Sequence, residues 1–210
     1  MPTWNELFTQ EEFRWKDPNE YVVALVPRLR ERGARRVLDL GCGAGRHTIY
    51  LAREGFEVCG LDIAENGLAH TRKWLARENL SAELKQGDIA QIPSPDRFFD
   101  AVISIYVIYH KTYTEMQGVV AEIHRVLKRG GSALVSLQSK RGWRYRHGKE
   151  IEPDTFVTDV GDDAGIPHHY SDLTEIEKLF ERFVVRRIEL EEHLEEGKRH
   201  SHWQVVIEKE

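Results

Sequence analysis

Three glycines and three aspartates fall where a ligand would meet the chain. Asp39 stands two residues ahead of Gly41-Cys42-Gly43-Ala44-Gly45-Arg46, Asp62 follows Gly45 by seventeen residues, and Asp88-Ile89 follows a third strand-like run. Closely spaced glycines let a strand turn sharply into a helix and let a ligand come near the backbone. The helix opening at Arg46 points its free N–H groups and positive dipole end back at that turn, a setting suited to the polar end of a ligand. Carboxylates at strand ends accept hydrogen bonds from hydroxyl and amino groups. His110, with Tyr106 and Tyr109 just before it, adds a side chain that can take a proton near neutral pH. Each has a plainer role open to it: a tight connection for the glycines, loop bonding for Asp39, a helix cap for Asp62, a turn for Asp88 and a loop partner for His110.

The elements that must position these residues alternate. Val37, Leu38 and Leu40 form a short apolar run without helical period, as in a strand buried on both faces. Strands are expected over 57–62, 82–86, 99–105 and 132–137. Helices are expected over 46–54, 65–79 and 114–127, with a turn at Gly130-Gly131. Such alternation predicts a parallel sheet with helices on both faces. Upstream, Trp4, Phe8, Phe13 and Trp15 fit an amphipathic helix in 1–18, either a core cap or a lid. A second helix is expected over 19–32, with Pro27 able to kink it. Residues 139–170 read as a long irregular region, functional or mobile. A helix over 172–183 and strands over 184–191 and 202–208 close the chain, the strands as an antiparallel edge hairpin.

At 210 residues, 40% hydrophobic and 31% charged, the chain suits one soluble α/β domain. Its net charge of −5 argues against general binding to nucleic acid or anionic membranes. Cys42 and Cys59 are the only cysteines and sit in expected buried positions, pointing to a reduced, cytoplasmic setting without a cysteine metal site. Neither a signal peptide nor a membrane span is expected.

Asp-x-Gly-x-Gly-x-Gly after a strand resembles the nucleotide-binding loop of class I S-adenosylmethionine (SAM) methyltransferases. Dinucleotide folds instead place the third glycine one residue later. The resemblance covers 36–137 well and implies a Rossmann-like, doubly wound seven-stranded sheet, mostly parallel with one antiparallel strand near the C-terminus. It implies SAM as cofactor and S-adenosylhomocysteine (SAH) as product. Asp39, Gly41, Cys42, Gly43 and Gly45 would then meet the methionine part, with Arg46 on its carboxylate. Asp62 would take the ribose hydroxyls, Ile63 would pack on adenine, and Asp88 and Ile89 would bond its edge. Ser104 and Ile105, leading into Tyr106, would meet the methionine amino group. By the same resemblance, His110, Tyr106 and Tyr109 lie where the acceptor is held, His110 as candidate base. Gly-Cys-Gly-x-Gly-Arg followed by His resembles the tellurite-resistance and thiopurine-like groups, whose acceptors are small molecules.

The expected organisation is one domain over 1–210. It comprises a helical cap (1–35), the SAM-binding core (36–137), a substrate-side insertion (138–170) and a C-terminal helix and hairpin (171–210). The protein is expected as a monomer or homodimer acting on a small molecule, with no membrane or nucleic-acid partner. The alternatives are an RNA methyltransferase using the basic, aromatic stretch 140–149, a non-catalytic SAM-binding module, and a dinucleotide-dependent oxidoreductase. His168 and His169 are candidates to face the site. His193, His200 and His202 show no recognisable metal-ligand spacing, and no metal is expected.

Overall fold

A computed structural model describes residues 3–159 and 163–210. Its frame is set by strands β1 (Arg36–Leu40) and β2 (Glu57–Asp62), each buried beyond its first residue. With β3 (Glu83–Gln86), β4 (Phe99–Ser104) and β5 (Leu127–Ser139) they form five parallel strands in the order β3-β2-β1-β4-β5. The side chains of β1 alternate between two cores. Leu38 and Leu40 join Met116, Val119 and Ile123 of one helix, Tyr113–Val126. Val37 joins Val22, Leu25, Val26 and Leu29 of another, Glu20–Glu31. Burial on both faces is why these strands read as unbroken apolar runs.

In chain order the helices are α1 (Trp4–Leu7), α2 (Glu20–Glu31), α3 (Arg46–Arg53), α4 (Glu65–Arg77), α5 (Tyr113–Val126) and α6 (Leu173–Leu179). The hairpin of β9 (Val184–Glu195) and β10 (Lys198–Glu208) brings this part of a ten-stranded sheet to seven strands. β10 runs antiparallel to both β5 and β9, so one strand of the seven opposes the rest. This is the mostly parallel sheet that the sequence predicts.

Several expectations need correction. Among the described residues of 1–18, which begin at Thr3, there is no single amphipathic helix: Trp4–Leu7 is α-helical, opened by a Thr3–Glu6 capping box, and a 3-10 turn follows at Glu11–Phe13. α2 runs through Pro27 as one helix. The region 139–170 is not irregular. It holds β6 (Lys149–Glu152) and β7 (Thr155–Val157), and β8 (Pro167–Ser171) starts within it. β7 is antiparallel to both β6 and β8, and β8 also extends β5 in parallel. Gly130-Gly131 lies inside β5, where Gly130 donates to Lys209 O and Lys209 donates back to Gly131 O. Among the described residues no helix is long and apolar enough to cross a membrane.

Candidate functional site

The loop between β1 and α3 takes a path that side chains resist. Gly41, Gly43 and Gly45 have φ of +76°, +50° and +92°. A Cβ on Gly43 would stand 2.5 Å from the Phe8 ring, so the N-terminal segment lies directly against the loop. Gly41 and Cys42 both donate to Leu61 O, tying the loop to β2.

The aspartates hold this cradle together. Asp62 accepts from Gly43 N (2.7 Å) through one oxygen and from Ala64 N (2.8 Å) through the other, so it joins the loop to the start of α4. Burial raises its pKa, and those N–H bonds oppose the rise. Asp39 is 1% exposed and accepts from the Thr48 hydroxyl at 2.7 Å. Burial pushes it up to about 7, against the pull of Thr48 and Arg46. Asp88 caps its own turn through Ala90 N (2.9 Å) and pairs with Lys111 (3.4 Å). Asp88 thus fills its plainer role in a turn, while Asp39 bonds Thr48 of α3 and Asp62 bridges the loop to α4, and these bonds leave carboxylate lone pairs at the strand ends. Beside Asp62, Ile63 is 55% exposed, an uncovered apolar platform, whereas Ile89 is buried.

Arg46 opens α3 with its guanidinium 4.7 Å over the Trp15 ring and 5.7 Å over Tyr106. Among the described residues it has no hydrogen-bonded or ion-paired partner, so its donors are available to an anion. Ser104 is occupied structurally, its hydroxyl donating to Leu40 O (3.1 Å), and Ile105 is core. Beyond β4, Tyr106 adopts φ +61°, unusual for a bulky residue. Its N–H donates to Ser136 Oγ, and its phenol lies 3.4 Å from both the Glu191 carboxylate and Asn19 Nδ2.

A wall of rings continues from there. His110 packs at a tilt on Tyr109 (4.3 Å between centroids, 48° between planes) and meets His168 (4.6 Å) and Trp4 of α1 (4.7 Å) edge-on. Tyr106 and Tyr109 face His202 of β10 at 4.7 and 6.0 Å. Burial, reinforced by His168, holds His110 well below its ordinary pKa, so its ring is neutral, and its buried Nδ1 has no partner. His168 is fixed from both sides, with Nε2 3.1 Å from Asp163 and Nδ1 3.0 Å from Ile166 O. Asp163 in turn takes two bonds from Arg144, at 2.7 and 2.9 Å. Although burial pushes the other way, His168 and Arg144 hold its carboxyl well below the usual range.

Comparison with known proteins shows what this chain resembles. Residues 37–131 match a family model described as a methyltransferase domain. An uncharacterised methyltransferase of Synechocystis sp. is 35% identical over 113 residues, which are 53% of this chain and 51% of that protein. The demethylmenaquinone methyltransferase of Tropheryma whipplei is 36% identical over 100 residues, 47% of this chain and 40% of that one. Among solved structures, an S-adenosylmethionine-dependent methyltransferase of Methanosarcina mazei superposes with a TM-score of 0.72 at 19% identity, covering 95% of both chains. TehB of Haemophilus influenzae gives 0.70 at 16% identity, covering 99% of this chain and 68% of its own. Residues 37–131 are thus similar to a methyltransferase domain, on the fold of S-adenosylmethionine-dependent methyltransferases.

The chain spans about half, or less, of the length of the curated relatives it matches. What the structural neighbours share with it at these identities is the methyltransferase fold.

The residues present fit the family's cofactor. The loop is free of side chains at its three glycines, Arg46 offers unmatched donors, and Ile63 is bare beside the Asp62 carboxylate. The geometry gathers Asp39, the glycine loop, Asp62, Ile63 and Asp88 along the carboxyl ends of neighbouring strands. Tyr106, Tyr109 and His110 stand at the end of β4, on the next side of the crevice.

Sequence reasoning did not assign roles to Phe8 against the loop, Trp15 on Arg46, Lys111 on Asp88, or Glu191 beside Tyr106. The acidic stretch 154–163 is close enough in sequence to pair with the basic stretch 140–149, as Asp163 does with Arg144, but nothing in the sequence ties that pair to His168. Most of these pairs are far apart in the chain, and no local pattern marks them. The aromatic spacing of 4, 8 and 15 was the available signal for the N-terminal cover.

Proposed function

We propose that this chain is an active methyltransferase that binds SAM in the crevice above β1, β2 and β3 and methylates a small molecule held against the rings after β4. The observation that carries this reading is the row of aspartates at the carboxyl ends of adjacent strands beside the glycine loop. Ligands of open parallel sheets bind in that place. In this reading Arg46 and the loop N–H groups hold the methionine end, and Asp62 takes the ribose. Ile63, Asp88 and Ile89 receive the adenine, and the backbone at Ser104 and Ile105 faces the amino group.

Bound there, SAM supplies an electrophilic methyl group on a positively charged sulfur. The protein's own task is to align the acceptor and keep water out. Alignment of this kind contributes up to about 7–11 kcal/mol to lowering a barrier. Trp4 covers His110 from the N-terminal segment, while Tyr109 and the immobilised His168 fix its ring. A neutral His110 with a free Nδ1 lone pair is suited to take a proton from the acceptor.

The enclosure by Trp4, Tyr106, Tyr109, His168 and His202 supports a compact, flat acceptor. The basic loop gives the RNA reading little support. Lys140 is held by Asp154, Asp172 and Glu175 at 2.8 Å each, Arg141 by Glu192, and Arg144 by Asp163. Cations already matched by carboxylates have less to offer phosphates.

Calorimetric titration with SAM, SAH and NAD tests the cofactor, and SAH release in a screen of phenols, amines, thiols and heterocycles tests turnover. SAM and SAH should bind and NAD should not. Binding of NAD alone would overturn the reading, and tight SAH binding without turnover of any acceptor would favour a binding module.

A further inference from the structure

The turn between β9 and β10 gathers a second group of ligand-type side chains, outside the crevice. Glu196 and Gly197 both have positive φ, +49° and +76°, forming a two-residue turn that fixes the strand register. Glu195 therefore opposes Lys198, and His193 opposes His200. Residues two apart on a strand share a face, and directly opposed residues share it too. His193, Glu195 and His200 thus stand on one face of the hairpin, which is why no ligand spacing shows in the linear sequence.

The two imidazoles stack with centroids 5.0 Å apart and 8° between their planes. His200 Nε2 lies 3.5 Å from the Glu195 carboxylate. One ligand atom from each of the three lies within 4.8 Å of the other two. His193 and Glu195 are exposed, so side-chain rotation alone can close those separations onto an ion. Lys198, the nearest cation along the turn, sets its ammonium 4.5 Å over the Trp143 ring.

We propose that His193, Glu195 and His200 form a site for a divalent transition metal of the Zn2+ class, with solvent completing the coordination. Two imidazoles and one carboxylate suit Zn2+, Co2+, Ni2+ or Cu2+, whereas Mg2+ and Ca2+ prefer all-oxygen sets. The proposal stands independently of methyl transfer.

The test uses the full chain without an affinity tag, stripped with chelator. Zn2+ is titrated calorimetrically and Co2+ by its visible d–d absorption. Wild type should bind one equivalent of each, with Co2+ bands of a four- or five-coordinate nitrogen–oxygen site. His193→Ala/His200→Ala should lose that equivalent while keeping its unfolding midpoint, and Glu195→Gln should weaken it. Trp143, whose ring is 6.3 Å from His200, gives a further readout: Co2+ should quench its fluorescence, and Trp143→Phe should remove that component. Absence of saturable binding, or binding unchanged in the double variant, overturns the site.

Discussion

Replacing Asp62 with alanine separates its structural role from its proposed ligand role. In the folded chain its two oxygens satisfy Gly43 N and Ala64 N, at 2.7 and 2.8 Å, in a buried setting. Each N–H left without an acceptor costs about 1–3 kcal/mol, so the pair costs about 2–6 kcal/mol. Part of that is returned, because the variant no longer desolvates a carboxylate, whose pKa burial already raises. A net loss of about 3 kcal/mol is expected, lowering the melting temperature of a chain this size by about 6–12 °C. Asp62→Asn keeps the shape and one acceptor oxygen, and should lose about half as much. Thermal unfolding of the ligand-free proteins, followed by circular dichroism, reads this directly. An alanine variant that melts within about 1 °C of wild type would refute the claim that the carboxylate holds the loop. SAH titration then reads the second role. Loss of the ribose contacts should weaken binding roughly a hundredfold, about 3 kcal/mol. If the variant is destabilised but binds SAH like wild type, Asp62 is a scaffold and not a ligand contact.

Three further outcomes follow from the same geometry. His110→Ala should reduce kcat with a protic acceptor by about 10²–10⁴-fold, and wild-type rates should be flat above about pH 6.5 because the ring is already neutral there; unchanged turnover rules the base out. Gly43→Ala should cost about 1–3 kcal/mol by forcing a Cβ onto Phe8, plus about 1 kcal/mol for the left-handed backbone, and Phe8→Ala should relieve the steric part; additive effects in that double-mutant cycle would disprove the contact. Asp39, raised by burial to about 7 and facing Arg46, Asp62 and Thr48, binds a proton in the folded chain that the unfolded chain releases near pH 4, so its contribution to stability falls as pH rises from about 4 to 7 and is flat above. Asp39→Asn should therefore gain on wild type across that range by up to about 4 kcal/mol, and a pH-independent difference in urea unfolding would contradict the buried, raised carboxyl.

The parallel core was legible because it is buried on both faces, and such strands carry their signal in every residue, as Val37 to Leu40 do. The positions of Asp39, Asp62 and Asp88 followed once those runs were placed. The insertion was not legible. β6 and β7 are four and three residues long, and the sequence Lys-Glu-Ile-Glu of β6 has little apolar alternation to announce a strand. These strands exist through pairing with β8, which itself continues the edge of β5. Gly130-Gly131 misled for a related reason. Glycine marks a turn locally, but here the pair is held in the sheet by two bonds to Lys209, which is 79 residues beyond Gly130.

The N-terminal segment shows how the two halves of the site depend on one another. Its aromatics do not share one helix face. Three of the four are sent to different targets: Trp4 to His110, Phe8 to Gly43, and Trp15 to Arg46. Further ties hold the segment in place, with Asn5 bonded to Asn66 at the start of α4 and Arg14 bonded back to Phe8 O and Thr9 O. One short stretch thus covers the glycine loop, Arg46 and His110 together. Few of its residues are deeply buried, so it belongs to the parts of a fold that open at low cost. Opening it would uncover the loop and the ring wall in a single motion, and closing it would exclude water from both. Under the proposed function, a small acceptor and SAM would then be enclosed by the same segment, the arrangement that in-line transfer of a reactive methyl group requires.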